Sequence, residues 1–340
     1  RIAARYGNLA LLQDGYGIDL SKALAFSQKY YTENEGFYPQ KTVDPLSSQQ
    51  KKAAMLLQQA FAIIQFKVEA AVIQRRPAFA MAERCLLHRL SQDRQQIQLD
   101  QTYPLINGCF QLVDPDDPYR LTAEEHEVLQ DLLSQFQRSP RLAAHMRFLV
   151  EHGTLYQRFN DNLLYHGCLP CQENGDFLAF TFQQQPLAGK ALMDFFQQCL
   201  QESFAQPENQ TDLATDMIWY LWCGEGSSLF GKKAMKTFER YFIADRNTHM
   251  EQKNAYYSLR ENEDFCCRVL AAFGLPPTGH IINGHTPVKV RKGETPIKAN
   301  GRLLVIDGGL SRSYQSVTGI AGYTLLSNSF GMTLAAHQPF

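Results

Sequence analysis

The sequence predicts an α/β protein, with a mainly helical segment over residues 1–150 and an α/β body over residues 151–340. Two observations lead to this fold class. The first part contains long stretches whose apolar residues recur at helical spacing. The second part alternates short runs rich in Ile, Leu and Val with helical stretches, which is typical of a sheet packed against helices.

Helical spacing is clearest in two stretches of the first part. Residues 47–76 are apolar over much of the helix surface, which predicts a buried helix, and Pro77 ends it. A second helix is predicted to follow Thr122, because Glu125 stands three residues later at the spacing of a capping box. Between these helices, IQLDQTYPLI at 97–106 alternates like a small β-hairpin.

Strand patterns dominate from residue 153 onwards. TLYQRFN and NLLYH predict two short strands around a turn at Asn160 and Asp161. Further strands are predicted in FLAFTF, HIING, RLLVIDGG and AGYTLLSNS, and the last three read as buried strands. Helices are predicted over 189–203, 211–222 and 261–273, and the final stretch, TLLSNSFGMTLAAHQPF, as a strand followed by a loop.

Composition and charge narrow the function classes. The formal net charge is −1 and no long Lys/Arg run occurs, which disfavours a nucleic-acid partner. We expect no apolar stretch to approach the roughly 18–20 residues of a membrane span and we recognise no signal peptide, so we expect no membrane association and a cytoplasmic location. The eight cysteines then read as reduced thiols, and we expect neither zinc nor a disulfide at Cys168 and Cys171.

Two histidines stand where predicted strands end, and such loops form the binding sites of α/β sheets. His166 ends the strand NLLYH and precedes Gly167, whereas His285 follows the strand in HIING. Imidazole is a common ligand of divalent transition metals, and a loop at a strand end fixes its orientation. Taken singly, each histidine could instead have only a structural role.

The residues of these segments and their order along the chain resemble the signature motifs of a known superfamily. YHGCLP at 165–170 and NGHTPVK at 283–289 are similar to the last two signature motifs of calcineurin-like metallophosphatases, and WYLWCGEGSSLFGK at 219–232 resembles the Leu-Trp segment between them. A more specific resemblance, to class III (Firmicutes-type) fructose-1,6-bisphosphatases, covers almost the whole chain. It is carried by RIAARY, LLQDGYGIDL, AIIQFKVEAAVIQRRP, LYQRFNDNLLYHGCLP, TFERYFIADRNTHMEQKNAYY, GHIINGHTPVK and the residues from 298 to 340.

This resemblance implies part of a calcineurin-like metallophosphatase β-sandwich with flanking helices, plus a mainly helical insertion. It implies hydrolysis of the 1-phosphate of fructose 1,6-bisphosphate in gluconeogenesis by a two-metal centre, with Mn²⁺ as the usual metal. His166 and His285 match histidines that ligate one of these ions, so we expect their side chains to lie close together. The superfamily's Asp-x-His, Gly-Asp-x-x-Asp-Arg and Asn-His motifs do not occur in this sequence. The catalytic residues are therefore expected upstream of Arg1, and this stretch alone is expected to be inactive.

Other candidate residues each have two interpretations. Asp307, in VIDGG at a strand end, could orient a ligand histidine or could simply form the turn before two glycines. Tyr314 could shape the rim of the pocket. Five cations could contact the second phosphate of the substrate or be solvated surface groups: Arg75, Arg76, Lys289, Lys298 and Arg312.

Two other functions share part of this pattern. A phosphoprotein-phosphatase-like enzyme would share HGCLP and GHTP, but not IIQFKVEAAVIQRRP or TFERYFIADRNTHMEQKNAYY. A non-catalytic interaction module would explain the absent metal motifs directly. The predicted partner is a small-molecule sugar bisphosphate, and a homo-oligomer is possible.

Overall fold

The chain forms two compact units in the structure, which is a computed structural model. It describes residues 1–340 except positions 41, 43, 44, 183, 311 and 340, and the side chains of residues 312 and 313 also lie outside the description. Unit 1 comprises Arg1–Glu151 and Lys236–Met250, and unit 2 comprises His152–Met235 and Glu251–Phe340.

The division predicted from the sequence placed the segment Lys236–Met250 in the second part, whereas the structure places it in unit 1. Its aromatic side chains Phe238, Tyr241 and Phe242 are buried in the hydrophobic core of unit 1. Phe37 stacks on Tyr241 with ring centroids 4.8 Å apart. The burial of these large rings accounts for the position of a segment far along the chain.

The mixed α/β class predicted from the sequence is confirmed by the order of elements. The helices are α1 (Ile2–Arg5), α2 (Ser21–Tyr30), α3 (Ser48–Arg75), α4 (Ala123–Arg138), α5 (Pro140–His152), α6 (Gly189–Ala205), α7 (Leu213–Cys223), α8 (Thr237–Phe242), α9 (Tyr256–Leu259), α10 (Glu263–Ala272) and α11 (Arg312–Thr318). The strands are β1 (Gln96–Gln98), β2 (Thr102–Pro104), β3 (Tyr156–Phe159), β4 (Asn162–Tyr165), β5 (Phe180–Phe182), β6 (Gln185–Leu187), β7 (Ile281–Asn283), β8 (Ile297–Lys298), β9 (Leu303–Val305), β10 (Gly322–Asn328) and β11 (Gly331–His337).

Helix α3 is the central helix of unit 1. Its first turn is closed by a capping box between Ser47 and Gln50, and the helix ends at the residue before Arg76, just ahead of Pro77. Buried residues lie on most of its surface, as predicted. The predicted capping box between Thr122 and Glu125 at the start of α4 is also confirmed, as is the β1–β2 hairpin.

Helix α3 is also the one helix, among the residues described, that is long and apolar enough to cross a membrane. The expectation that no stretch approaches a membrane span is therefore wrong as far as length and composition are concerned. However, 78% of its most apolar window is buried inside the protein. The helix carries two buried charges with partners in unit 1, since Lys67 pairs with Glu125 and Glu69 with Arg84. These features are those of a core helix, because unpaired charges in lipid are costly.

Unit 2 is built on a five-stranded mixed sheet with the strand order β3-β4-β7-β9-β8. The neighbours β4, β7 and β9 run parallel, while β3 and β8 are antiparallel edge strands. The turn between β3 and β4 has positive φ at Asn160 (47°) and Asp161 (62°), as a two-residue hairpin turn requires. The predicted hairpin is thus confirmed, and the carboxyl ends of three parallel strands meet at one edge.

The hairpin β10–β11 differs from the prediction in two ways. Strand β10 is buried only at Gly322 and otherwise alternates between partly buried and exposed residues, so it is not a buried strand. The stretch expected to be a loop contains β11, which pairs with β10 in antiparallel register. A short apolar run indicates an extended segment, but its burial depends on what packs against it.

Candidate functional site

Three parallel strands each deliver one predicted site residue to the same edge of the sheet. His166 directly follows β4, while His285 and Asp307 come two residues after β7 and β9. The loops are joined by backbone hydrogen bonds: the N–H of Gly284 donates to the carbonyl of His166 at 2.8 Å, and the N–H of Val288 to that of Asp307 at 2.8 Å. The topology therefore assembles the site where α/β sheets usually bind ligands.

The two histidine side chains are in direct contact. His166 Nε2 lies 2.8 Å from His285 Nδ1, although 119 positions separate the residues. Their ring centroids are 4.7 Å apart at an interplanar angle of 63°. The expected proximity is confirmed. One ring must donate and the other accept in this hydrogen bond, so the two rings cannot both be positively charged imidazolium ions while it exists.

Their surroundings favour the neutral form of both imidazoles. Partial burial lowers the pKa of His166 below its ordinary value, and the carboxylate of Asp307 acts in the opposite direction. Burial also lowers the pKa of His285, and the neighbouring His166 adds to this effect. Near neutral pH both rings are therefore in the form that coordinates a metal ion.

Glycine allows the histidines to approach each other this closely. A Cβ added at Gly167 would lie 2.4 Å from His285 Cβ, which is much closer than packed atoms allow. His285 itself has a φ of +64°, and the N–H of Thr286 donates to the carbonyl of Gly284 at 2.7 Å. This is the positive-φ form of the γ-turn, which is rare and strained.

We expect Gly167→Ala to destabilise the protein by about 1–3 kcal/mol and to displace the His285 ring, because the added methyl overpacks the contact. Chemical denaturation and the imidazole resonances in NMR spectra measure the two effects. Gly108→Ala is the control, since a Cβ there would meet nothing nearer than a Phe110 ring atom at 3.9 Å. A Gly167→Ala protein with wild-type stability and unchanged histidine resonances would contradict the close contact.

Asp307 forms the turn that follows β9. Its Oδ1 accepts a hydrogen bond from the N–H of Gly309 at 2.9 Å, which is the turn geometry expected of an Asp before two glycines. Its charge also raises the pKa of both His166 and His285, so it lies near them. The orientation of a ligand histidine by Asp307 stays a prediction.

The loop after α7, part of the WYLWCGEGSSLFGK segment, packs against the histidine loops. The N–H of Cys168 donates to the carbonyl of Ser228 at 3.2 Å. A Cβ at Gly231 would lie 2.5 Å from the Tyr257 hydroxyl and 3.1 Å from Cys168 Cβ. An interaction with the backbone of Phe230 raises the pKa of His285. This loop thus forms one wall of the site.

The structure places the other predicted cations in different surroundings. Arg75 is the last residue of α3 and Arg76 follows it, so both belong to unit 1. Lys298 is engaged in an ion pair with Glu261 at 2.8 Å. Lys289 lies in the loop after His285, in unit 2. Of these four cations, Lys289 is therefore the nearest to His285 in the sequence.

Two further predicted residues lie around α11. The side chain of Arg312 lies outside the described residues, although its backbone begins this helix. Tyr314 is 37% exposed. A Cβ added at Gly309 would lie 3.0 Å from Tyr314 Cβ, so this tyrosine borders the turn that Asp307 forms. The role of Tyr314 at a pocket rim stays a prediction.

Cys168 and Cys171 are free, buried thiols in the structure. Burial raises the pKa of Cys171 to about 12, and it also raises the pKa of Cys168. A thiol with a raised pKa is a poor nucleophile and a poor metal ligand at neutral pH, because the thiolate is the reactive form. Burial therefore gives these two cysteines a packing role beside the site.

His166 and His285 fit a metal ion as neighbouring ligands. Imidazole nitrogens bind such ions at about 2.0–2.1 Å, and two ligands of one ion are therefore separated by a distance similar to the 2.8 Å observed. In the described ranges, however, no group of three or more His, Cys, Asp or Glu side chains is arranged to hold an ion. The pair alone would therefore supply only part of a coordination shell.

Sequence reasoning missed the residues that extend this site away from the histidines, namely Lys253, Tyr257 and Arg260. Lys253 and Tyr257 fall in the segment TFERYFIADRNTHMEQKNAYY, which carries the family resemblance but marks no individual residue. Arg260 lies just beyond that segment, and no motif signals it. Their common feature is nearness to one another in the fold, which no local pattern reveals.

Comparison with known proteins shows the family of this chain. The model of a family described as Firmicute fructose-1,6-bisphosphatase matches residues 1–340. Similar relatives named fructose-1,6-bisphosphatase class 3 occur in Enterococcus faecalis (56% identical, 100% of this chain and 54% of the relative), Bacillus velezensis (52%, 100% and 53%) and Lactococcus lactis (50%, 100% and 53%). The chain thus spans about half the length of the curated relatives it matches. No solved structure matches it. The chain belongs to the Firmicute fructose-1,6-bisphosphatase family.

Proposed function

We propose that the protein hydrolyses the 1-phosphate of fructose 1,6-bisphosphate, and that His166 and His285 hold one Mn²⁺ of a two-metal centre. The contact between these two imidazoles at the ends of parallel strands carries the proposal. The names of the similar relatives support the choice of substrate. We also infer that the five-stranded sheet of unit 2 is part of a calcineurin-like β-sandwich.

The proposal assigns a role to each of four residues of this chain. When bound, the metal ions supply Lewis acidity toward a phosphoryl oxygen and a hydroxide nucleophile at neutral pH. His166 and His285 present neutral nitrogens, because burial lowers the pKa of both rings. Gly167 permits their contact, and Asp307 contributes a negative charge beside them. These residues bind and orient, and the remaining metal ligands must come from other groups.

Phosphate release tests this function. We expect the complete gene product to convert fructose 1,6-bisphosphate to fructose 6-phosphate with stimulation by Mn²⁺, and residues 1–340 alone to release no more phosphate than a metal-free blank. The described residues of this stretch hold no group of three or more possible metal ligands, so on its own it would lack the metal centre that the proposed reaction requires. Colorimetric phosphate assays with and without added Mn²⁺ measure both proteins, and chromatography identifies the sugar product.

Two outcomes would contradict the proposal. A complete gene product that prefers a phosphoserine peptide over the sugar bisphosphate would move the function to the phosphoprotein-phosphatase-like class. One that releases phosphate from neither would favour an interaction module.

Metal-stimulated activity of residues 1–340 would show that this stretch holds a full set of ligands. The oligomeric state and the cytoplasmic location stay predictions.

A further inference from the structure

Cations gather around the ring of Tyr257 in unit 2. The guanidinium carbon of Arg260 lies 5.1 Å from the ring centroid, and Lys253 Nζ lies 5.4 Å from it. Lys289 is close enough for its charge to lower the pKa of Lys253, after the larger effect of burial. We call Lys253, Arg260 and Lys289 the cation cluster. Like charges placed together without a counter-ion repel one another.

Arg260 is the least satisfied member of the cation cluster. Its side chain belongs to a residue that is only 9% exposed. Its Nε and Nη1 atoms are buried and have no hydrogen-bond partner in the part of the chain that the structure describes. Arginine stays charged in proteins, and an unpaired buried charge is costly. Acceptor atoms of a negatively charged group would satisfy such nitrogens.

The acidic residues around the cation cluster already have other partners. Glu251 pairs with Lys232 at 2.6 Å, and Glu261 pairs with Lys298 at 2.8 Å. Glu294 accepts the backbone N–H of Lys289 at 2.9 Å. No carboxylate of the described residues is shown in an ion pair with Arg260 or Lys253. The carboxylate of Glu294 is near enough to raise the pKa of Lys253 and so partly offsets the positive charge, while the described residues provide no ion-pair partner for Arg260.

Tyr257 connects the cation cluster with the histidine site. Its hydroxyl packs against Gly231, which also lies against Cys168, two residues after His166. The side chain of Thr286, next to His285, interacts with Tyr257 and opposes the increase in its pKa that burial causes. Tyr257 thus contacts the cation cluster on its ring and, through Thr286, the loop that carries His285.

We propose that the cation cluster binds the phosphate group of the substrate that is not hydrolysed, the 6-phosphate of fructose 1,6-bisphosphate. This inference rests on the proposed function and assigns it a specificity site. A phosphate dianion offers acceptor oxygens to Arg260 and a compact negative charge to Lys253 and Lys289. Tyr257 contacts both the cluster and the loop that carries His285, so in this proposal one sugar bisphosphate spans the two positions.

The test compares two substrates in the complete gene product. Fructose 1-phosphate carries the phosphate that reacts but lacks the one that the cation cluster binds. We expect Lys253→Met and Arg260→Gln to lower kcat/KM for fructose 1,6-bisphosphate by about 10- to 100-fold, mainly through KM, because a charged hydrogen bond is lost. The same variants should change kcat/KM for fructose 1-phosphate by less than about twofold. Arg260→Lys should fall between, since it keeps the charge but not the paired geometry.

Lys190→Met is the matched control. Lys190 also lies over a tyrosine ring, 5.7 Å from the centroid of Tyr156, and it pairs with Asp194 at 2.7 Å outside the cation cluster. Its removal changes the net charge by the same amount and should leave both substrates unaffected. If Lys190→Met reduces bisphosphate turnover as much as Lys253→Met does, the effect is general electrostatics and the proposal fails.

Binding of fructose 6-phosphate without added metal separates this inference from the proposed function. Isothermal titration calorimetry should show binding that Lys253→Met weakens by about 10-fold or more. If the wild-type protein hydrolyses neither substrate but binds fructose 6-phosphate in this way, the proposed function fails and the anion site stands. Equal losses for both substrates, or fructose 6-phosphate binding that Lys253→Met and Arg260→Gln leave unchanged, would overturn the inference.

Discussion

Replacing His166 or His285 with alanine should lower phosphate release from fructose 1,6-bisphosphate by about 100-fold or more in the complete gene product. Each replacement removes one nitrogen from a pair whose contact distance is 2.8 Å, and the remaining imidazole cannot hold the ion in place. Mn²⁺ affinity should fall in parallel. Steady-state kinetics across a range of Mn²⁺ concentrations and electron paramagnetic resonance of free Mn²⁺ measure the two effects.

His280→Ala is the matched control for this experiment. His280 stands at the amino end of β7, opposite the end that leads to His285, and its Nδ1 lies 3.2 Å from the side-chain oxygen of Asn162. Its loss should leave Mn²⁺ affinity unchanged. Near-normal turnover of His166→Ala or His285→Ala at low Mn²⁺ would remove that residue from the proposed metal site. Urea unfolding of all variants shows whether the fold remains cooperative.

Lys67→Met should destabilise unit 1 by about 3–5 kcal/mol, which is a large part of the stability of a typical domain. Lys67 Nζ lies 2.7 Å from Glu125 Oε2, and both side chains are completely buried. The ammonium group also donates to the carbonyl of Leu112 at 2.7 Å. Methionine fills similar space but leaves the charge of Glu125 buried without its partner. The shift of the urea unfolding midpoint measures the effect.

An exposed ion pair gives the comparison for Lys67. Lys22 pairs with Glu127 at the same 2.7 Å distance, with side-chain exposures of 43% and 66%. Lys22→Met should therefore leave the urea unfolding midpoint nearly unchanged. The double variant Lys67→Met/Glu125→Gln should recover much of the loss, because it removes the orphaned charge and keeps an acceptor for Thr122. A double variant as unstable as Lys67→Met alone would show that the volume of the lysine, not the charge, matters.

Local signals in the sequence were sufficient for most elements of the fold. The capping box at Thr122 and the turn at Asn160 form where they were predicted. Each of these features rests on hydrogen bonds between residues at most four positions apart. The sequence therefore contains all the atoms that decide them within one short window. The place of the two histidines at strand ends could be predicted for the same reason.

Tertiary structure decided which segments pack together. The aromatic residues of 237–242 belong to the second part of the predicted division, yet they are buried in the core of unit 1. Strand β10 has an apolar pattern similar to that of the buried strands, but its residues are mostly exposed. Burial depends on surfaces contributed by distant parts of the chain, and a local pattern contains no information about them.

The sequence by itself determined the family, the α/β class and the pair His166 and His285. Only the tertiary structure showed that Gly167 is what admits His285 at contact distance, and that His285 adopts a strained positive-φ turn. Only the structure showed that Nε and Nη1 of Arg260 are buried with no hydrogen-bond partner among the described residues. The physical reason is the same in each case. Close packing and desolvation are properties of atoms brought together by the whole fold, so residues far apart in sequence acquire a shared chemistry only there.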